Sequence, residues 1–82
     1  MSKTTKILSP IPGVFYRRPS PDQEEYVKPG DKVKAGDTIG LVEVMKTFHE
    51  IKIETDGTIE KFMVDNEDML EAGQEIAVLI EN

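Results

Sequence analysis

The sequence contains no cysteine, no tryptophan and a single histidine. Without cysteine there is no disulfide, no thiol nucleophile and no thiolate metal site, a composition that fits the cytosol. His49 has no second histidine with which to hold a metal, and Ser9 and Ser20 lack a base and an orienting acid, so neither a catalytic residue nor a metal site is expected. No run of about 18 apolar residues is present, which excludes a membrane-spanning helix. The opening Met1-Ser2-Lys3-Thr4-Thr5-Lys6 lacks the apolar stretch of a secretory signal. The expected setting is therefore cytoplasmic, with no membrane partner. Basic residues are also scarce: ten against sixteen acidic ones give a formal charge of −6, which argues against a phosphate-tracking surface for nucleic acid and fits solubility instead. Asp65, Glu67 and Asp68 cluster, but the segment lacks the central glycine and closing glutamate of a calcium loop and reads as a solvated turn.

What is present is a β pattern. Eighty-two residues at 38% hydrophobic make one domain, residues 1–82, with a small core. Segments near Lys6 to Ser9, Gly13 to Arg17, Thr38 to Val44, Phe48 to Glu54, Thr58 to Met63 and Glu75 to Ile80 are rich in Val, Ile, Thr, Phe and Tyr. Lys32-Val33 and Met69-Leu70 add two very short strands. Between them stand Pro10, Pro12-Gly13, Pro29-Gly30, Ala35-Gly36-Asp37, Asp56-Gly57 and Ala72-Gly73, which set φ or tolerate positive φ. No segment holds a helical period for the length a helix needs. The expected fold is all-β, a sandwich or flattened barrel of antiparallel sheets. Phe15, Tyr16, Ile39, Leu41, Ile51, Ile59, Ile76 and Val78 are the expected core.

The chain repeats itself. Val33-Lys34-Ala35-Gly36-Asp37-Thr38-Ile39-Gly40-Leu41-Val42 matches Leu70-Glu71-Ala72-Gly73-Gln74-Glu75-Ile76-Ala77-Val78-Leu79 at an offset of 37, and Val27 and Asp31 fall on Val64 and Asp68. Upstream, Pro12-Gly13-Val14-Phe15 resembles Asp56-Gly57-Thr58-Ile59 at an offset of 44. The first half therefore carries about seven extra residues between Tyr16 and Val27. Two halves too short to bury an apolar face alone are expected to pack as one pseudo-symmetric unit.

Lys46 lies at the junction of the two halves. If the strands on either side pair across a two-residue turn, Met45 and Lys46 are its centre, where Asn-Gly or Gly-Gly is the favoured choice. Met and Lys there cost on the order of 1–2 kcal/mol per residue. A turn that ignores local preference is a place to expect a functional residue, here an amine presented to other proteins.

Glu43-Val44-Met45-Lys46-Thr47 resembles the Glu-Ala-Met-Lys-Met motif of biotin carboxyl carrier domains. Ser9-Pro10-Ile11-Pro12-Gly13-Val14-Phe15-Tyr16-Arg17-Arg18-Pro19-Ser20-Pro21-Asp22 resembles the matching region of the acetyl-CoA carboxylase carriers, where an extra segment forms a thumb beside the biotin arm. The likeness spans roughly Ile7 to Glu81. Val44 and Thr47 depart from the family's alanine and second methionine. The Ala/Pro-rich N-terminal region of the longer carriers has no counterpart, which leaves a stand-alone carrier or an excised domain.

The resemblance implies a barrel-sandwich hybrid whose covalent cofactor is biotin on Lys46. Glu43, Met45 and Thr47 would be recognised by a biotin protein ligase. Arg17, Arg18, Pro19, Ser20, Pro21, Asp22, Gln23 and Glu24 would form the thumb, an insertion of about 17–25. The implied role is that of a non-catalytic carrier subunit. It would take carboxyl groups from a biotin carboxylase to a carboxyltransferase, turning acetyl-CoA into malonyl-CoA for fatty acid biosynthesis. Three other readings stay open: a carrier for another biotin-dependent carboxylase, a lipoyl-type domain, which usually shows Asp-Lys instead of Met-Lys, and an unmodified interaction module.

Overall fold

The computed structural model describes residues 3–81, among which eight strands and no helix form; no helix is long and apolar enough to cross a membrane. In chain order the strands are β1 (Lys3–Leu8), β2 (Gly13–Tyr16), β3 (Lys32–Val33), β4 (Thr38–Val44), β5 (Thr47–Lys52), β6 (Gly57–Phe62), β7 (Met69–Leu70) and β8 (Glu75–Glu81). They build two four-stranded antiparallel sheets, ordered β1-β8-β6-β3 and β5-β4-β2-β7. The sheets face each other and do not close into one barrel, so the fold is the expected flattened antiparallel sandwich.

The two sheet orders map onto each other when β1, β2, β3 and β4 are replaced by β5, β6, β7 and β8. Each sheet draws two strands from each half, and all four strands of the first half pair along one edge with a strand of the second: β1 with β8, β2 with β7, β3 with β6 and β4 with β5. The turns repeat as well. Gly36 N donates to Ile53 O at 2.8 Å and its counterpart Gly73 N to Ser9 O at 2.7 Å. Lys34 N donates to Asp37 Oδ2 and Glu71 N to Gln74 Oε1, both at 2.9 Å. The second half continues through a bulge at Ile59/Lys61, where the first half leaves the sheet after Tyr16. Nine residues separate Arg17 from Val27, where two separate Lys61 from Val64.

The core lies between the sheets. Phe15, Ile39, Ile59, Ile76 and Leu79 are fully buried and carry the largest apolar volume. Gly40 is required by Phe15: a Cβ at residue 40 would come within 2.5 Å of the phenyl ring.

Two residues expected in the core are not there. Tyr16 and Leu41 stand opposite each other in the ladder and face outward, half-buried. Side chains on a strand alternate, so Phe15 and Tyr16 cannot both point inward. Leu41 is turned out by the register shift between Thr38 and Gly40. Strand bounds also differ from the expectation: β1 begins at Lys3 instead of Lys6, and β5 runs from Thr47 to Lys52 instead of Phe48 to Glu54. The Thr47 start makes the turn before it two residues long.

Lys3 pairs with Glu81, as Val44 pairs with Thr47 at the symmetric place. A groove of about 720 Å³ between the edge strands β1 and β5 brings Lys3 and Glu81 beside Lys52 and Thr55, the end of β5 away from Lys46. The two described ends of the chain thus sit at one pole, and the Met45-Lys46 turn sits at the other.

Candidate functional site

β4 and β5 pair without interruption from Leu41↔Glu50 to Val44↔Thr47 and leave Met45 and Lys46 as the whole turn. Both have positive φ, 49° for Met45 and 66° for Lys46, the left-handed pair that a type I′ turn requires. Val44 on one side and Thr47 on the other are β-branched residues suited to strand ends, so the local sequence favours the strands and opposes the turn. Met45 is 92% exposed and does not pack on the body of the protein. Lys46 is exposed and makes no ion pair or side-chain hydrogen bond among the described residues.

Beside the turn, the outer face of the β5-β4-β2-β7 sheet is organised by an aromatic pair. The rings of Tyr16 and Phe48 lie 5.9 Å apart and tilted by 53°, a favourable offset arrangement. Tyr16 Oη donates to Glu43 Oε1 at 2.8 Å. That hydrogen bond, with partial burial and the negative charges of Glu43 and Glu67, holds the Tyr16 phenol above its ordinary range. Glu43, expected to meet the ligase, thus already has a partner on its own sheet. Thr47 is exposed at the start of β5.

The insertion returns to its starting point: Tyr26 N donates to Arg17 O at 2.9 Å, closing the loop at its base. Arg17 is its anchor. Its guanidinium lies 4.1 Å over the Phe62 ring, Nη1 is 3.2 Å from Glu25 Oε2, and its backbone N–H donates to Asn66 Oδ1 at 2.8 Å. Arg18, Pro19, Ser20 and Pro21 form one wall of a groove of about 470 Å³ whose floor is Tyr16, Leu41 and Phe48. Asp22, Gln23 and Glu24 line a separate depression on the loop's other side, with Glu25 and Lys28. Ser20 Oγ donates to Asp22 Oδ1 at 2.7 Å, which lowers the Asp22 carboxyl. The expected thumb residues therefore divide into an anchor, a wall and an outer edge.

Sequence reasoning did not find Tyr16, Leu41 and Phe48 as the floor, or Asn66 and Glu67 as the far rim. Strand alternation at Phe15-Tyr16 was the available signal for the first of these. Among the described residues no group of three or more acidic or histidine side chains is placed to hold a metal.

Compared with known proteins, residues 5–79 match the family described as "Biotin-requiring enzyme". The chain belongs to that family. The biotin carboxyl carrier protein of acetyl-CoA carboxylase from Streptococcus pyogenes serotype M6 is 44% identical over 68 residues, covering 83% of this chain and 41% of the relative. That of Pseudomonas aeruginosa is 38% identical over 74 residues, covering 90% of this chain and 47% of the relative. The chain spans less than half of either carrier. The Kluyveromyces lactis urea carboxylase structure matches with a TM-score of 0.76 at 30% identity, over 94% of this chain and 6% of the larger one.

Proposed function

We propose that residues 1–82 are one biotinyl domain, that Lys46 carries biotin as an amide, and that the domain serves acetyl-CoA carboxylase as its carboxyl carrier. The observation that carries this reading is the amine of Lys46 held at positive φ on an exposed two-residue turn, in a chain of the biotin-requiring family. The site fits the group, because the lysine is unpartnered among the described residues and a groove large enough for a bicyclic ring opens on the adjoining sheet face, with Phe48 of the same hairpin on its floor. Biotin, when bound, supplies a ureido nitrogen that accepts and releases a carboxyl group.

The chain's own residues do the positioning. The β4–β5 hairpin holds the Lys46 amine away from the body of the protein, where a biotin protein ligase can reach it and must supply the activation for amide formation. Met45 and Thr47 flank the amine and offer the ligase an apolar and a short polar contact; Glu43 orients Tyr16 and presents its remaining carboxylate oxygen. Arg18 to Pro21 wall the groove, while Arg17 fixes the loop that carries them. The domain makes no bond itself. Tethering raises the effective concentration of the group at a biotin carboxylase and then at a carboxyltransferase. Acetyl-CoA as the final acceptor, fatty acid biosynthesis as the destination and a cytoplasmic setting are supported by the acetyl-CoA carboxylase carriers among the relatives. A second reading, service to a different biotin-dependent carboxylase, is favoured by the urea carboxylase likeness.

Intact-protein mass after co-expression with a biotin ligase tests the acceptor. The parent should gain one biotinyl group. Lys46→Arg keeps the charge without a usable nucleophile, and should fold yet gain nothing and be blank on a streptavidin blot. A biotinylated Lys46→Arg protein would place the acceptor elsewhere.

A further inference from the structure

The turns at 28–31 and 65–68 are the same piece of backbone in the two halves. Lys28 N donates to Asp31 Oδ2 at 2.9 Å and Asp65 N to Asp68 Oδ2 at 2.8 Å. Gly30 N donates to Ile59 O at 2.7 Å, and its counterpart Glu67 N to Phe15 O at 2.6 Å. Both residues hold positive φ, 95° for Gly30 and 71° for Glu67. Glycine adopts that region freely, whereas a residue with a Cβ is strained there. The first half thus shows that the turn needs no side chain at this place, and folding gives no reason for a glutamate. The groove under the insertion does, because Glu67 lines its far rim. Its charge adds to the Glu43 hydrogen bond and partial burial in holding the Tyr16 phenol of the floor above its ordinary range. Among the described residues Glu67 makes no ion pair.

The charges around the groove favour a neutral guest. Arg17 and Arg18 share one oxygen of Glu25, at 3.2 and 3.7 Å. Glu43 accepts from Tyr16 Oη, and Glu67 stands on the rim. Two cations therefore face three carboxylates, and amide formation removes the charge of Lys46. The remaining neighbours do not reverse this sign. Glu50 and Lys52, further along β5, are of opposite charge and line the groove at the other pole. Asp22, Glu24 and Lys28 line the depression on the far side of the insertion.

We propose that Glu67 makes the groove selective for uncarboxylated biotin, so that the ring is held while neutral and released once it carries a carboxylate. The inference rests on the carrier reading above. A cyclic urea accepts through its carbonyl and donates through two N–H groups, which suits a groove with the Arg18 guanidinium on one wall and the Glu67 carboxylate on the far rim. Tyr16, Leu41 and Phe48 offer the rest of the bicycle an apolar floor. In the carboxylation step a ureido N–H, bicarbonate and ATP give an N-carboxylate, ADP and phosphate, with the ureido proton released. A donor thereby becomes an anion where the surrounding charge is already negative, and at this short range salt screens the repulsion little. Load sets mobility: the arm leaves the groove when it has a carboxyl group to deliver.

The test uses isotope-labelled protein, biotinylated to completion as verified by intact mass, and follows the Tyr16, Phe48 and Glu67 resonances by NMR. Biotinylation should shift them from their positions in unmodified protein. A catalytic amount of biotin carboxylase with ATP and carbon-13 bicarbonate then carboxylates the arm, and the labelled carboxylate signal measures the yield. The shifts should return toward the unmodified values, the docked fraction falling about fivefold or more. Glu67→Gln keeps the shape of the rim without its charge, and there the fall should be about twofold or less. Glu60→Gln, on the other sheet, makes the same change in net charge and should behave as the parent does. Groove resonances that biotinylation does not shift would overturn the proposal. So would a docked fraction that carboxylation leaves unchanged or raises, or equal release from the parent and Glu67→Gln. Absence of biotin on Lys46 would instead overturn the carrier reading itself.

Discussion

Met45 and Lys46 show how far this chain departs from local preference to present one amine. Both hold left-handed backbone, the region that costs a residue with a Cβ roughly 1–2 kcal/mol. Neither gains packing in return, since both are exposed. Replacing the pair by Asn-Gly supplies the residues that a type I′ turn favours. Denaturant unfolding should show a gain of about 2 kcal/mol, and biotin uptake should vanish. An unchanged midpoint would mean that the turn is not strained. The sequence made this legible because the strands on each side define the turn's length. It did not reveal that Tyr16 faces out, because an aromatic residue in a strand reads equally well as core or as surface until register is known. Leu41 was hidden for a similar reason, as a bulge reverses the inward and outward alternation without leaving a mark in composition.

At the scale of elements, the insertion was legible by arithmetic alone, from the difference between offsets of 44 and 37. Its internal order was not. Arg17 reads as a member of a surface loop, and only the fold brings Phe62 beneath its guanidinium and Asn66 beside its N–H. Removing Arg18 to Glu25 and placing one glycine before Tyr26 restores the spacing of the second half. Folding should survive at a cost on the order of 3 kcal/mol, because Arg17 loses Glu25, its partner in a largely buried ion pair, together with one groove wall. Biotin uptake at Lys46 should persist, while carboxyl transfer falls and streptavidin captures the bound biotin faster. Loss of the cooperative unfolding transition would show that the insertion is structural. The repeat of β1 by β5 left little trace, because two edge strands under weak packing constraint, Lys-Thr-Thr-Lys-Ile-Leu and Thr-Phe-His-Glu-Ile-Lys, share only Ile7 and Ile51.

For the whole molecule, the exchange of strands between halves governs stability. Of the pairings made by the first four strands, only β2 with β4 stays within the first half. A fragment of residues 1–44 would leave Phe15, Val33, Ile39 and Val42 uncovered, and is expected to be unfolded by circular dichroism. Mixing it with residues 47–82 should restore the sheet signal; a structured lone fragment would contradict the interlocked arrangement. The pairing of Lys3 with Glu81 carries a mechanical consequence. Any polypeptide fused at either end would join at the pole opposite the acceptor, leaving the long dimension of the molecule, 41 Å, as a rigid lever. Rotation about such a joint would move Lys46 in proportion to the lever's length, so the reach of the amine would be set by a hinge far from it.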